Sequence, residues 1–213
     1  MLKYLHTNES LDAIAKSMQL TREDNVLAIL GSGDQAFALL EYAGSVVAMD
    51  DIQEQAAYAQ GQKELISQGS FEQFLARRVI NAPDAYKSMQ EYFKSPGRLD
   101  SIRKRLNHLE IREGDIFSDS PGNQFSKIYL SNALAYIPLK DNEQKMELLI
   151  EKLKPSGLLY ITEVWDITIR PDSPFHNIEH PFHEIMKIDA ELTHIARAHQ
   201  PKRWTPVVYR RRA

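Results

Sequence analysis

Apolar and polar positions along this chain switch repeatedly between a helical period and short continuous apolar runs, and the switch points divide it into elements. Leu11, Ile14, Ala15 and Met18 recur at helical spacing, which predicts a short amphipathic helix within the first 24 residues, with Ser10 as its N-cap. Val26 to Leu30 is an apolar run that opens into a Gly-Ser-Gly-Asp turn. Residues 34 to 43 suit a helix, Val46 to Met49 is a second apolar run ending at Asp50 and Asp51, and residues 52 to 66 suit another helix. Residues 67 to 106 interrupt this alternation. Phe71, Phe74, Leu75, Val79, Ile80, Tyr86, Met89, Tyr92 and Phe93 lie there among charges, broken by Pro83 and Pro96-Gly97, which predicts an insertion of two or three short helices. An insert of that length with its own aromatics is expected to cover a pocket, and we assign it to an acceptor site.

The alternation then resumes. Leu109 to Arg112 is a short strand ending at Glu113-Gly114-Asp115, and Lys127 to Leu130 is another, followed by Ser131-Asn132. Residues 141 to 153 form a helix closed by Lys154-Pro155-Ser156-Gly157, and Leu158 to Val164 is a buried strand. A polar, histidine-bearing stretch leads to a final strand at Pro206 to Tyr209. Strands alternating with helices imply an α/β fold, a doubly wound and mainly parallel sheet covered on both faces. At 213 residues the chain is expected to be one domain carrying the helical insert.

Composition narrows the function classes. The net charge of −3 offers no general argument for nucleic acid or an anionic membrane surface. With no cysteine, disulfides, zinc-thiolate sites and a thiol nucleophile are excluded, which fits a reducing cytoplasm. The N-terminal stretch does not read as a signal peptide, and no apolar run approaches the roughly 20 residues of a spanning helix. A cytoplasmic, soluble protein is expected, with peripheral membrane contact and oligomeric state left open.

Ligands of doubly wound sheets sit at the carboxyl ends of the strands. Four successive expected ends carry suitable polar groups. Gly31, Ser32, Gly33, Asp34 and Gln35 follow the first and supply backbone N–H groups and close approach for a charged tail. Asp50 and Asp51 follow the second, about 17 residues beyond Gly33, placed for a ribose diol. Asp115 follows the third, where it can accept from an adenine amino group while Ile116 and Phe117 flank the ring. Ser131 and Asn132 follow the fourth and face the reacting centre. The competing reading takes these acids as ordinary loop residues.

This ordered set resembles the class I S-adenosylmethionine-dependent transferases. A dinucleotide dehydrogenase would usually place a third glycine where Ala36 stands. The common methyltransferase pattern has an acid two residues before the first glycine and a glycine at the third position of the turn, where this chain has Ile29 and Gln35. The loop Leu30 to Ala36 is more similar to that of the diacylglycerol 3-amino-3-carboxypropyltransferases of betaine-lipid synthesis. Val47 to Gln55 resembles that family's next segment, matching at Asp50 and Gln55 and departing at Ile52 and Gln53. Ser70 to Leu75 and Leu130 to Ile137, the latter with Ser131, Asn132 and Tyr136, are similar to further segments of it. The resemblance spans about residues 25 to 165 and implies S-adenosylmethionine as cofactor. It also implies transfer of a 3-amino-3-carboxypropyl group to a small-molecule or lipid-like nucleophile, with methyl transfer as the alternative.

Chemistry at the acceptor needs a base. Tyr136 is the first choice, with Asn132 positioning it or the cofactor; the competing reading has Tyr136 packing its ring and satisfying its hydroxyl locally. His183, or His180, is the second choice, from a group of five histidines between His176 and His199 whose spacing matches no helical zinc motif. No resident metal is expected. Arg98, Arg103, Lys104 and Arg105 read as the wet face of an amphipathic helix, and Arg210 to Arg212 as a solvated terminus that could touch phosphate. Three rivals remain: a non-catalytic adenosine-ligand module, an RNA-binding module, and a nicotinamide-dependent dehydrogenase. DNA is not an expected partner, and RNA is disfavoured by the missing aromatic-interleaved basic surface.

Overall fold

A computed structural model describes residues 2–76, 83–122, 124–136, 139–164, 182–199 and 204–213. Its strands are β1 (Asn25–Ile29), β2 (Ser45–Asp50), β3 (Leu109–Glu113), β4 (Phe125–Ser131), β5 (Leu153–Val164), β6 (Met186–Ile188) and β7 (Trp204–Arg211). They form one sheet in the order β3-β2-β1-β4-β5-β7-β6. β1 to β5 are parallel, and β7 runs antiparallel to both β5 and β6. The doubly wound, mainly parallel sheet expected from the sequence is therefore present. Its connections reverse direction between β1 and β4, which opens a crevice at their carboxyl ends.

The central strands β1 and β2 are largely apolar because both faces are covered. Successive side chains of β1 show it: Val26 and Ala28 join one core cluster, and Leu27 joins the other with Met49 and Ile128. The first cluster is roofed by α1 (Leu11–Ser17), α2 (Asp34–Tyr42), α3 (Gln53–Ser67) and α9 (Ala190–His199). The second lies under α7 (Leu139–Glu151). Ser10 caps α1 as expected, its hydroxyl accepting from the Ala13 N–H at 3.2 Å.

The insert comprises α4 (Phe71–Leu75), α5 (Pro83–Lys94) and α6 (Arg98–Arg103). Its aromatics continue the first cluster: Phe74 meets Phe37 of α2 edge-on at 5.9 Å between ring centroids, and Phe93 at 5.1 Å. Two of its basic residues depart from the expected wet face. Arg98 pairs with Glu41 at 2.9 Å and stacks over the Tyr92 ring at 3.9 Å. Arg105 donates to the Leu40, Ala43 and Gly44 carbonyls at the end of α2, where a cation suits both the open carbonyls and the helix dipole. Arg103 and Lys104 are exposed as expected.

Two further differences concern the C-terminal half. The turn expected at residues 154–157 lies within β5 as an irregularity, where pairing with β4 jumps from Phe125–Leu153 to Lys127–Leu158. The polar histidine-bearing stretch contains β6 and α9, which its weak apolar pattern did not announce.

Candidate functional site

The turn after β1 is shaped by two glycines with different tasks. Gly31 has φ +51°, and a Cβ on it would meet nothing within 4 Å, so this backbone faces open space. Gly33 has φ +88°, and its Cβ would come within 3.0 Å of the Ala59 Cβ; its glycine lets α2 and α3 approach. Asp34, the first residue of α2, is fully buried behind the turn. Its Oδ2 accepts from the Ser32 hydroxyl at 2.9 Å and from the Thr7 N–H at 2.8 Å.

Asp50 ends β2 beside this turn. Its carboxylate accepts from the Gly31 N–H and the Ile52 N–H, both at 3.1 Å, so it ties the two strand ends together. Burial pushes its carboxyl above the usual range; the two N–H groups oppose that rise and neighbouring Asp51 adds to it. After β3, Asp115 Oδ1 accepts from the Phe117 N–H at 3.0 Å, and its Oδ2 meets Lys145 Nζ of α7 at 2.7 Å. Ile116 and Phe117 are buried behind it, with the lysine 5.2 Å from the Phe117 ring centroid. After β4, Ser131 sits in the left-handed region at φ 51°, a strained position for a non-glycine residue.

These ends meet in one cleft of about 400 Å³. Gly31, Ser32, Gln35, Asp50, Asp51, Asp115, Ile116, Ser131 and Asn132 all line it. Gly33 and Asp34 do not; they shape its wall from behind. Its size and mixture of apolar and polar groups suit a small molecule of nucleoside type.

The far wall is a feature the sequence reading missed. Lys3, Tyr4, His6, Thr7 and Asn8 line the cleft from an irregular segment that crosses the strand ends. Side chains of α2 and α3 hold it. Gln55 Oε1 accepts from the Lys3 and Tyr4 N–H groups at 3.2 Å, its Nε2 donates to the Tyr4 carbonyl, and the Tyr58 hydroxyl donates to the Leu5 carbonyl at 2.8 Å. Gln35 Nε2 donates to the Thr7 hydroxyl at 2.8 Å. The segment ends at Glu9, which is 4% exposed. Its carboxylate accepts from the hydroxyls of Tyr129 (2.9 Å), Ser131 and Thr162 (2.6 Å). Burial raises its carboxyl above the usual range against the pull of these three donors. A polar run before a helix cap carries no local signal of such burial.

Comparison with solved structures places this architecture. The chain superposes on an N-methyltransferase, NodS from Bradyrhizobium japonicum WM9 in complex with S-adenosyl-L-homocysteine, with TM-score 0.57 and 12% identity, over 94% of this chain and 83% of that one. An rRNA methylase from Streptococcus thermophilus gives 0.55 and 10%, over 96% and 95%. A DhpI–SAH complex gives 0.57 and 16%, over 94% and 83%. The fold is that of the class I methyltransferases. No family profile and no curated protein sequence matches the chain.

Within the class I frame, several expected residues take other places. The described residues of the insert do not line the cleft; Phe74 and Arg98 pack the insert against α2, and the N-terminal segment lines the cleft instead. Tyr136 ends a 3-10 turn at Ala133–Tyr136 next to the cleft residues Asn132 and Ala133, and its side chain lies outside the described residues. His183 lies in α8 (Phe182–Ile185), just before β6. β6 pairs Met186 with Arg211, level with the start of β5, whereas the cleft is at the other end of the sheet. The His183 backbone therefore lies toward the end of the sheet opposite the cleft; its side chain, like His176 and His180, is outside the described residues. Among the described residues no cluster of His, Asp or Glu could hold a metal ion. The basic terminus is largely engaged: Arg210 pairs with Asp189 at 2.7 Å, and Arg211 donates to the Ile150 and Leu153 carbonyls. No helix among the described residues is long and apolar enough to cross a membrane.

Proposed function

We propose that this protein is an S-adenosylmethionine-dependent transferase and that it transfers the methyl group to a small-molecule or lipid-like nucleophile. The observation that carries the reading is that Asp50 and Asp115, from adjacent strands, line one cleft with the Gly31 turn. Their order across β3, β2 and β1 matches the order of an adenine, a ribose and a charged tail. The open backbone at Gly31, where even a Cβ would find room, fits a cofactor lying against it. Solved structures with this fold include an N-methyltransferase bound to S-adenosyl-L-homocysteine and a DhpI–SAH complex, which supports the same cofactor.

In this reading Asp50, and Asp51 beside it, take the ribose hydroxyls. Asp115 accepts from the adenine amino group, with Ile116 and Phe117 against the ring. Gly31, Ser32 and Gln35 hold the amino-acid tail. When bound, the cofactor supplies a sulfonium that is already activated as a leaving group. The chain's own contribution is alignment and exclusion of water. Lys3 to Asn8 close the cleft, and Asn132, with Tyr136 nearby in the chain, orients the acceptor. An acceptor of lipid character would bring the open side of the cleft to a membrane surface.

A second reading is transfer of the 3-amino-3-carboxypropyl group. What favours it is the wall near the tail: Ile29 and Gln35 line the cleft where the common loop has an acid and a glycine, and Gln35 is tied to Thr7. Such a wall would hold the tail differently and expose another carbon beside sulfur.

Calorimetric titration with S-adenosylmethionine, S-adenosylhomocysteine and methylthioadenosine, with NAD as control, tests the cofactor. Binding of NAD alone would overturn the transferase reading. Mass spectrometry of reactions with acceptor candidates then separates the two chemistries. S-adenosylhomocysteine as the sole product supports methyl transfer, methylthioadenosine supports the second reading, and tight binding without turnover points to a non-catalytic module.

A further inference from the structure

Glu9 has no part in the reading above, yet it is a carboxylate buried beneath the cleft. Among the described residues, the groups that act on its charge are the hydroxyls of Tyr129 and Ser131 on β4 and of Thr162 on β5. No lysine or arginine is among them. Tyr129 itself leans on the Tyr160 ring, 5.4 Å between centroids. Its own segment contributes only the Thr7 hydroxyl, which accepts from the Glu9 N–H. An anion buried with hydroxyl donors alone is left undercompensated, and a cation arriving nearby would relieve it.

The strand order indicates which part of a ligand would arrive there. The cleft crosses β3, β2, β1 and β4 in sequence. With adenine at the β3 end and ribose at the β2 end, the sulfur and the reacting carbons fall toward β4, where Ser131 lines the wall. Strands lie about 4.8 Å apart, so β4 is about 10 Å from β2; the sulfur, bonded to the ribose C5′, stands between them, with its other two carbons free to reach toward β4. Ser131 donates to Glu9, with Asn132 Oδ1 a more distant second acceptor at 3.3 Å, and the Ser131 oxygen keeps lone pairs that can accept. One hydroxyl therefore separates the buried carboxylate from the ligand.

We propose that Glu9, acting through Ser131, is the counter-charge by which this cleft prefers the sulfonium of S-adenosylmethionine to the neutral thioether of S-adenosylhomocysteine. This rests on the cofactor reading given above. Glu9 is then a positioning residue, and it favours exchange of spent for fresh cofactor. The two ligands carry the same adenosine and the same amino-acid tail, so the ratio of their affinities isolates the charge at sulfur. Asp50 titrates too, but it faces a part that both ligands share.

The test is calorimetric titration of the full chain with S-adenosylmethionine and with S-adenosylhomocysteine, for the unmodified protein and for Glu9→Gln. The variant should weaken S-adenosylmethionine binding about tenfold and leave S-adenosylhomocysteine within about twofold. A second arm needs no variant: the affinity ratio of the unmodified protein should fall as the pH is lowered and Glu9, its carboxyl raised by burial, takes up a proton. Equal weakening of both ligands by Glu9→Gln would show a purely structural role and overturn the proposal. An unchanged ratio, in the variant or across pH, would overturn it as well. If the unmodified protein binds neither ligand, the cofactor reading falls and this inference falls with it.

Discussion

Asp34 and Thr7, 27 residues apart in the chain, are joined by a hydrogen bond of 2.8 Å from the Thr7 N–H to Asp34 Oδ2. That bond sets the last turn of the N-terminal segment against the start of α2 and so completes the far wall of the cleft. It is charge-assisted and fully buried, which makes it one of the stronger single contacts in the site.

Replacing Asp34 with Ala removes the acceptor of two donors and leaves the Thr7 N–H without its partner. We expect a loss of about 1–3 kcal/mol in urea unfolding, together with several-fold weaker S-adenosylhomocysteine binding as the wall loosens. An unchanged unfolding midpoint would refute the structural part of this assignment.

Asp50→Ala removes the ribose acceptor and the tie between the ends of β1 and β2. Cofactor affinity should drop by about tenfold or more, read by calorimetry with S-adenosylhomocysteine. Asp50→Asn, which keeps the shape and one acceptor, should lose less. If both variants bind as the unmodified protein does, the diol is held elsewhere, and Asp51 becomes the residue to change.

Arg98 separates stability from function. Its pair with Glu41 is mostly shielded, with side chains 17% and 13% exposed, and Tyr92 lies beneath it while donating its hydroxyl to the same Glu41. Arg98→Ala should cost about 2–4 kcal/mol, because it leaves a shielded carboxylate without its cation. S-adenosylhomocysteine affinity should stay the same, since no described residue of the insert lines the cleft. A drop in affinity in a folded variant would return the insert to the site.

Glu9 also has a signature in pH. Its carboxyl is raised in the folded state, burial being the first cause, so over the window from its unfolded value of 4.5 upward the folded protein binds more protons than the unfolded one. Its contribution to stability is fully present below that value and is lost as pH rises through the folded pKa. Asp50, also raised by burial, slopes the same way. Urea unfolding across pH should show a decline with rising pH that is smaller in Glu9→Gln. Parallel curves for the two proteins would mean that Glu9 is not held in its raised state.

Much of this site could be read from short stretches of sequence. Asp50, Asp51 and Ser131 each follow an apolar run typical of a buried parallel strand, and Asp115 follows the shorter, mixed run Leu109 to Glu113 at the sheet edge. The ends of such strands converge on one side of a sheet whatever the rest of the chain does. Gly33 and Asp34 were legible as a turn but not as supports. Whether a residue faces the ligand or the helix behind it depends on how α2 meets α3, and Ala59 decides that.

The N-terminal segment was not legible. Lys3 to Asn8 have no periodicity, and they are ordered by Gln55, Tyr58 and Asp34, partners that become neighbours only once α2 and α3 are packed. The insert shows the converse. Its aromatic content was plain in the sequence, but whether Phe74 and Phe93 cover a ligand or a helix depended on the apolar side of α2 at Phe37, which they bury.

By itself, then, the sequence determined β1 to β5 and β7, the helices α2, α3 and α7 that alternate with them, and which polar residues stand at four strand ends, because burial on two faces and on one stripe leaves a local period in the chain. The tertiary structure decided which end of the sheet each late segment occupies. It carried the His183 backbone away from the cleft, turned Arg98 and Arg105 onto α2, and placed Glu9 under Ser131. Glu9 makes its contacts with residues 120 to 153 positions away, and hydrogen bonds at that separation exist only after the sheet has assembled, so they leave no pattern in the order of neighbouring residues.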